Sequence, residues 1–213
     1  MAIKNIVKIW DGEKLSEKNI QFLKLKTKKV TFPTSDFIQT IVTDLIDTYK
    51  QITCAGIAAN QIGYDYQIFI GMKTIEDEDE AEEIEKMESS ESIELNNPYA
   101  DNYEIYINPQ IDKTDNKLIQ LDEEGCLSIP GLMVARERYD KIKVRYYDLN
   151  GKVIKTTLTG FLSKLFQHEL DHLNGELMID NLEKIENLYP LEPSKEKAEQ
   201  YGNLFSQYQK IVK

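Results

Sequence analysis

The spacing of apolar residues along the chain predicts three helices. Between residues 35 and 51, apolar side chains recur every three or four positions, the pattern of an amphipathic helix. A second helix is predicted at about 160–174, where Gly175 stands at the position of a C-terminal cap. A third amphipathic pattern covers about 194–212. These apolar stripes indicate packing against a core.

Extended segments are predicted in the middle of the chain. Residues 67–72 (QIFIGM) and 104–109 (EIYINP) are rich in β-branched and aromatic side chains, which favour strands. Residues 141–158 alternate apolar and polar positions around a turn at 148–151, a pattern typical of a β-hairpin. Residues 177–179 are apolar and could form one further short strand.

This order of elements predicts an α+β fold. Antiparallel β-sheets are expected to pack around the central helix at 160–174. The helices at 35–51 and about 194–212 are expected to flank them on the N- and C-terminal sides. A chain of 213 residues with 41% hydrophobic content can bury one sizeable core. We therefore expect a single domain over residues 1–213.

The charge of the chain is concentrated in one stretch. Residues 76–94, the acidic segment, contain eleven acidic side chains and one lysine, a net charge of -10, whereas the whole chain carries -11. We expect an insertion at about 74–103, because this composition buries too little apolar surface to order itself. Phosphate groups repel such a charge, so no direct binding of nucleic acid is expected.

The N-terminal sequence and the cysteine content favour a cytoplasmic location. No apolar run approaches the roughly 20 residues of a membrane span. The start, MAIKNIVKIWDGEK, resembles neither a signal peptide nor a transit peptide. Two cysteines, Cys54 and Cys126, are too few for a disulfide framework.

Both histidines of the chain lie in the predicted central helix, within QHELDHLNG (167–175). On a helix, His168 and His172 face the same way, about one turn apart, so both can bind one metal ion. Glu169 can reach a water molecule near that metal, which makes this the H-E-x-x-H pattern of metal-dependent hydrolases. Two histidines on an ordinary amphipathic helix would also produce this short pattern, so a third ligand is needed.

Cys126, within EEGCLSIPG (123–131), is the candidate third ligand. A free cysteine is usually a small buried hydrophobic residue. Together with two histidines, however, it would leave one position of a tetrahedral metal open, as in catalytic rather than structural sites.

Three motifs together resemble the peptide deformylase family, which removes the formyl group from the initiator methionine of new bacterial and organellar proteins. Two are EGCLS and QHELDH, and the third is AGIAANQIG (55–63), similar to the family's glycine-rich motif ending in Ala-Ala-x-Gln. Their order and spacing also fit the family over roughly residues 54–180. Cys54 stands where that motif has its first glycine.

The resemblance implies a divalent metal bound by Cys126, His168 and His172, with Glu169 as general base and acid. It implies Fe²⁺, with Zn²⁺, Ni²⁺ or Co²⁺ as substitutes, although the ligand types alone favour zinc. The implied substrates are formyl-methionyl nascent peptides, and transient contact with the ribosome is a further expectation.

The resemblance also assigns residues on the substrate side of the site. The side-chain amide of Gln61 and the backbone N–H of Leu127 would donate hydrogen bonds to the oxyanion. Leu165 and Phe166 are candidates for the methionine pocket, although either could belong to the core. The residues expected to contact the peptide, mainly through their main chain, are Gly56, Ile57, Gly125 and Ser128.

Two alternatives remain open at the level of sequence. A zinc metallopeptidase built on the same motif would take a third histidine or a downstream glutamate, and Glu176, Glu183 and Glu186 are available. A deformylase-like binding module without activity would have lost Glu169, Gln61 or a ligand. Release of formate from formyl-Met-Ala-Ser distinguishes these readings.

Overall fold

The computed structural model describes residues 3–73, 97–180, 182, 188–191 and 194–212. The acidic segment lies outside these residues, as does most of the predicted insertion. Within the described residues, helices flank a central run of strands, and the predicted α+β fold class is confirmed. No helix in this part of the chain is long and apolar enough to span a membrane.

The helices begin and end at residues suited to those positions. They are α1 (Glu17–Leu23), α2 (Asp36–Gln51), α3 (Gly160–Asn174) and α4 (Lys195–Ile211). Ser35 caps α2 by accepting a hydrogen bond from the Ile38 N–H. Gly175 ends α3 with a φ of 77°, a conformation that residues with a side chain rarely adopt. The three helices predicted from apolar spacing are therefore confirmed.

Two antiparallel sheets contain the strands. The strands are β1 (Gly56–Ala58), β2 (Ile68–Met72), β3 (Tyr103–Thr114), β4 (Ile119–Gly125), β5 (Leu132–Tyr139), β6 (Lys141–Tyr147), β7 (Val153–Thr159) and β8 (Leu188–Pro190). The first sheet has the strand order β1-β2-β3-β6-β7, and the second has the order β4-β5-β8. The predicted strands at 67–72 and 104–109 and the hairpin at 141–158 are confirmed, although β3 continues beyond the predicted end.

Helix α3 contacts strands of both sheets and lies at the centre of the fold. Its Phe166 and Leu173 pack with Phe69 and Tyr106 of the first sheet. The rings of Phe69 and Tyr106 stack with centroids 4.4 Å apart, and Phe166 meets both rings edge-on. This packing fixes the rotation of α3 about its axis and so determines where its polar residues point.

The strand predicted at residues 177–179 is wrong, because the chain turns there. The Asp180 carboxylate accepts a hydrogen bond from the Leu177 N–H, and the Asp180 N–H donates to the Leu177 carbonyl. Tyr208 of α4 donates to the same carboxylate, and Lys24 forms an ion pair with it. The third strand of the second sheet is β8, further along the chain. Apolar content alone does not distinguish a strand from a buried turn.

Candidate active site

The two histidines of α3 and the cysteine that follows β4 meet at one point. His168 and His172 lie on the same face of α3, with ring centroids 5.0 Å apart. Cys126 brings its Sγ to 3.2 Å from Nε2 of His172. One ligand atom from each of the three residues lies within 4.8 Å of the other two. We call these three residues the ligand cluster.

The ligand cluster fits a divalent metal ion. A thiolate and two imidazole nitrogens are the donors that zinc and similar ions prefer, and three protein ligands leave a coordination position for water or substrate. Glu176, a possible third ligand of a metallopeptidase, is not part of the cluster. Glu183 and Glu186 lie outside the described residues.

A buried ion-pair network orients His168. Its Nδ1 lies 3.0 Å from Oε2 of Glu124, whose residue is only 4% exposed. Arg138 donates to both oxygens of this carboxylate and also to Oδ2 of Asp171, 2.7 Å away. Because an ionised carboxylate only accepts hydrogen bonds, Nδ1 of His168 carries the proton, and Nε2 is left to face the cysteine.

The charges of this network shift the pKa values of the residues around it. Burial alone would raise the pKa of Glu124, but hydrogen bonds from Arg138 and His168 outweigh it and hold that pKa well below its usual range. Burial alone would lower the pKa of His168, but contacts with Cys126 and Glu124 raise it well above the usual value. Burial holds the pKa of His172 well below its usual value, which favours the neutral ring that a metal requires.

Arg138 is a residue that sequence reasoning missed. In the pairing of β4 with β5, Glu124 stands opposite Val134, and Gln120 stands opposite Arg138. Alternate residues of a strand point to the same side of a sheet, so this register puts Arg138 on the face that carries Glu124. One signal in the sequence could have indicated a basic partner: Glu124 lies two residues before the candidate ligand Cys126. A carboxylate buried at that place requires a cation nearby.

We expect Arg138→Met to destabilise the protein by about 3–5 kcal/mol, because it leaves the buried Glu124 carboxylate without its cation. Arg136→Met is the matched control. Arg136 lies on the same strand, but it is more exposed and reaches Asp171 only at 3.9 Å, so its loss should cost about 1 kcal/mol or less. Urea denaturation at neutral pH measures both losses.

Equal losses in the two arginine variants would contradict this account of the network. A double variant adds a further check. In Glu124→Gln/Arg138→Met no charge is left buried without a partner, so part of the stability lost in the single Arg138 variant should return.

Glu169 and Gln61 lie beside the ligand cluster. Glu169 is 3% exposed, and a Cβ atom added to Gly56 would stand 2.8 Å from its Oε1, so the main chain of Gly56 runs directly against this carboxylate. Gln61 accepts the Ala58 N–H through Oε1 at 2.8 Å, and its Nε2 lies 3.6 Å from Sγ of Cys126. The amide of Gln61 is therefore oriented with its N–H donors toward the cluster.

A pocket of about 640 Å³, including open solvent at its mouth, adjoins the ligand cluster. The predicted site residues on its wall are Gly56, Gln61, Gly125, Cys126, Leu127, His168 and Glu169. Sequence reasoning gave no role in the site to the wall residues Met133, Phe161 and Lys164. Phe161 and Lys164 belong to the predicted helix at 160–174, whereas Met133 lies on β5, a strand that the sequence analysis did not predict. None of the three belongs to one of the three motifs.

Four predicted residues lie away from the pocket wall, and one of them, His172, joins the ligand cluster from behind it. Ile57 is fully buried in the core, and Ser128, also fully buried, accepts a hydrogen bond from Nε2 of Gln61 at 3.3 Å. Leu165 lies on the wall, but Phe166 packs into the core against the first sheet. Consecutive residues of a helix point about 100° apart, which is why two neighbours in sequence have different surroundings.

The fold and this set of groups are those of a metallohydrolase, in which three residues that could hold a metal ion and a buried carboxylate lie beside one pocket. The family model described as polypeptide deformylase matches residues 13–188. The chain belongs to the peptide deformylase family, whose members remove the N-formyl group from the N-terminal formyl-methionine of newly synthesised polypeptides. It is accordingly a hydrolase that acts on formyl-methionyl peptides and releases formate.

Individual relatives agree with this assignment. The peptide deformylase of Elusimicrobium minutum is 35% identical over 185 residues, 85% of this chain and 88% of the relative. That of Aquifex aeolicus is 33% identical over 162 residues, 76% of this chain and 82% of the relative. The crystal structure of peptide deformylase from Thermotoga maritima matches with a TM-score of 0.60 at 27% identity, over 86% of this chain and all of that one.

Proposed function

We propose that Cys126, His168 and His172 bind the catalytic metal ion and that Glu169 is the general base and acid. The observation that carries this proposal is the convergence of three ligand atoms within 4.8 Å of one another, beside a glutamate that is almost fully buried. These residues come from two distant parts of the sequence, so their convergence is not explained by the spacing of residues on one helix. Formate release from formyl-Met-Ala-Ser, compared before and after metal removal, tests the proposal.

We propose Fe²⁺ as the native metal, with Zn²⁺, Ni²⁺ or Co²⁺ as substitutes. The donor set by itself favours zinc, and the choice of iron rests on the resemblance to the family. Iron(II) and a cysteine thiolate are both sensitive to oxidation, so an iron enzyme should lose activity in air. Metal analysis of protein purified without oxygen tests this choice, and bound zinc together with air-stable activity would contradict it.

The reaction adds water across the amide bond of the formyl group. A divalent metal at the cluster would supply Lewis acidity, which acidifies the attacking water and polarises the formyl oxygen. Glu169 accepts the proton of that water and later delivers it to the nitrogen of the leaving amine. The C–N bond breaks, and the products are formate and a peptide with a free N-terminal methionine.

The developing negative charge on the formyl oxygen requires hydrogen-bond donors. The Nε2 of Gln61 is oriented toward the cluster, and Leu127, whose backbone N–H is the second proposed donor, lines the same pocket. Both groups are held before substrate binds, because Oε1 of Gln61 accepts the Ala58 N–H and Leu127 follows the ligand Cys126 directly. Donors fixed in this way stabilise the transition state without reorganisation.

We expect Gln61→Ala to lower kcat by about 10²- to 10³-fold, the usual effect of removing one oxyanion donor. Gln120→Ala is the matched control, because Gln120 donates to the Gly160 carbonyl and is not on the pocket wall. Steady-state kinetics on formyl-Met-Ala-Ser measures both. If the Gln61 variant had the same kcat as the Gln120 variant, the Gln61 side chain would have no role in the mechanism.

The substrate main chain would pair with strand β1. Among the described strands, β1 is the first in the order of its sheet, so in this part of the chain one of its edges has no paired strand and could accept an added one. Gly56 lies on the pocket wall against Glu169, and Gly125 lies on the same wall near the ligand Cys126. Ile57 would then contribute main-chain groups only, and Ser128 would support Gln61.

The domain extent, the cellular location and the ribosome contact of the enzyme remain predictions. Residues 1–213 would form one catalytic domain, since α3 contacts both sheets and α4 contacts β8. A nascent formyl-methionyl substrate would suit a cytoplasmic enzyme that contacts the ribosome transiently. Co-sedimentation with ribosomes that carry nascent chains, at low and high salt, tests this contact.

A further inference from the structure

Lys164 is a charged residue buried in the wall of the substrate pocket. It is 5% exposed, and its Nζ lies 5.1 Å from the ring centroid of Phe161, which lines the same pocket. A lysine is almost never this buried without a favourable contact for its charge. The stacking on Phe161 is such a contact, since a cation within about 6 Å of an aromatic ring is attracted to it.

The position of Lys164 along α3 relates it to the reacting atoms. Phe161, Lys164, Leu165 and His168 occupy one face of the helix, at the spacing i, i+3, i+4 and i+7. Lys164 precedes the ligand His168 by four residues, which is about 6 Å along the helix axis. A methionine side chain that starts beside the cluster and runs along this face reaches the level of Lys164 with its sulfur.

We propose that Lys164 determines the specificity for methionine by donating a hydrogen bond from its ammonium group to the thioether sulfur. This inference rests on the proposed position of the formyl group at the ligand cluster. An ammonium group has three donors, so a contact of Lys164 with the protein leaves donors for a ligand. Sulfur is a weak acceptor, and the methylene group that replaces it in norleucine accepts no hydrogen bond.

An apolar pocket would bind methionine and norleucine almost equally, because the two side chains are nearly the same size. A lysine in the wall changes this balance. It favours side chains with an acceptor near their end, and the preference grows with the strength of that acceptor. The expected order of kcat/KM is therefore methionine above norleucine, with methionine sulfoxide tolerated because its S=O group is a strong acceptor.

The test compares three substrates on the metal-loaded enzyme. They are formyl-Met-Ala-Ser, formyl-norleucine-Ala-Ser and formyl-methionine sulfoxide-Ala-Ser. We expect the wild type to prefer methionine over norleucine by about 3- to 10-fold, and Lys164→Met to reduce this ratio to within about twofold. The ratio of sulfoxide to norleucine should fall by about tenfold or more in the same variant.

Two further variants separate the hydrogen bond from packing. Lys164→Gln keeps a donor without the charge and should retain part of the preference. Lys155→Met removes an exposed lysine on β7, away from the pocket, and should keep both wild-type ratios. Calorimetric Kd values for Met-Ala-Ser and norleucine-Ala-Ser, measured on the wild type and Lys164→Met, should change in parallel with the kinetic ratios.

The outcomes separate the proposed role of Lys164 from the proposed function on which it rests. If the wild type prefers norleucine, or if Lys164→Met keeps the wild-type ratios in kinetics and in binding, the role of Lys164 is overturned while the deformylase mechanism stands. If the wild type releases no formate from any of the three substrates, the proposed function itself fails. A wild-type preference that disappears in Lys164→Met and partly returns in Lys164→Gln supports the inference.

Discussion

Replacing Glu169 with alanine is expected to abolish nearly all turnover while the enzyme keeps its metal. Glu169 is 3% exposed, and its carboxylate lies directly against the main chain of Gly56, where we propose that the substrate binds. It serves twice in the proposed reaction, first as the acceptor of the water proton and then as the donor to the leaving amine. Loss of one general acid–base group typically costs about 10²- to 10⁴-fold, and a dual role suggests the upper part of this range.

The Glu169 prediction requires two measurements on the same sample, formate release and metal content. Glu176→Ala is the matched control, because Glu176 is exposed just beyond α3 and outside the ligand cluster. It should retain wild-type turnover. A Glu169→Ala enzyme with its metal and with substantial activity would exclude Glu169 as the acid–base residue, whereas loss of turnover in the Glu176 variant would show that the assay does not distinguish Glu169 from a nearby exposed glutamate.

Cys126→Ser is expected to weaken metal binding by more than about 100-fold. A serine hydroxyl gives up its proton far less readily than a thiol and is a poorer ligand for a soft or borderline ion. Even the loss of a group that only orients a ligand typically costs about 10- to 100-fold in affinity. The variant should therefore lose its metal during dialysis against a chelator that leaves the wild type loaded.

Cys54 provides the control for this substitution. It is the other cysteine of the chain and also lines the pocket, but it is not part of the ligand cluster. Cys54→Ser should keep its metal under the same dialysis. Full metal retention by Cys126→Ser would remove this residue from the ligand set, and equal loss from both variants would mean that the dialysis reports general destabilisation.

The parts of the site that sequence could predict depend on local geometry or on motifs. The helical spacing of His168 and His172 follows from the helix itself, and the contact between them is observed. The proposed third ligand, Cys126, required the resemblance to a family, because its approach to the histidines depends on how the end of β4 lies against α3. The local sequence does not show how close two elements lie in space when they are far apart in the chain.

Residues outside the motifs could not be assigned in this way. The role of Arg138 depends on the register between β4 and β5, and a shift by one residue would turn its side chain to the other face. Phe166 and Leu165 have the same apolar character, but the rotation of α3 sends one into the core and the other into the pocket. Lys164 gave no signal at all, since a lysine on a helix is usually exposed.

The central claim is that the ligand cluster binds the metal on which deformylation depends. The most direct measurement is formate release from formyl-Met-Ala-Ser by enzyme prepared without oxygen, stripped with a chelator and then reloaded with Fe²⁺. We predict that the stripped enzyme is inactive and that about one equivalent of Fe²⁺ per chain restores activity, in line with a single three-ligand site. Formate release that survives complete removal of metal would contradict the account.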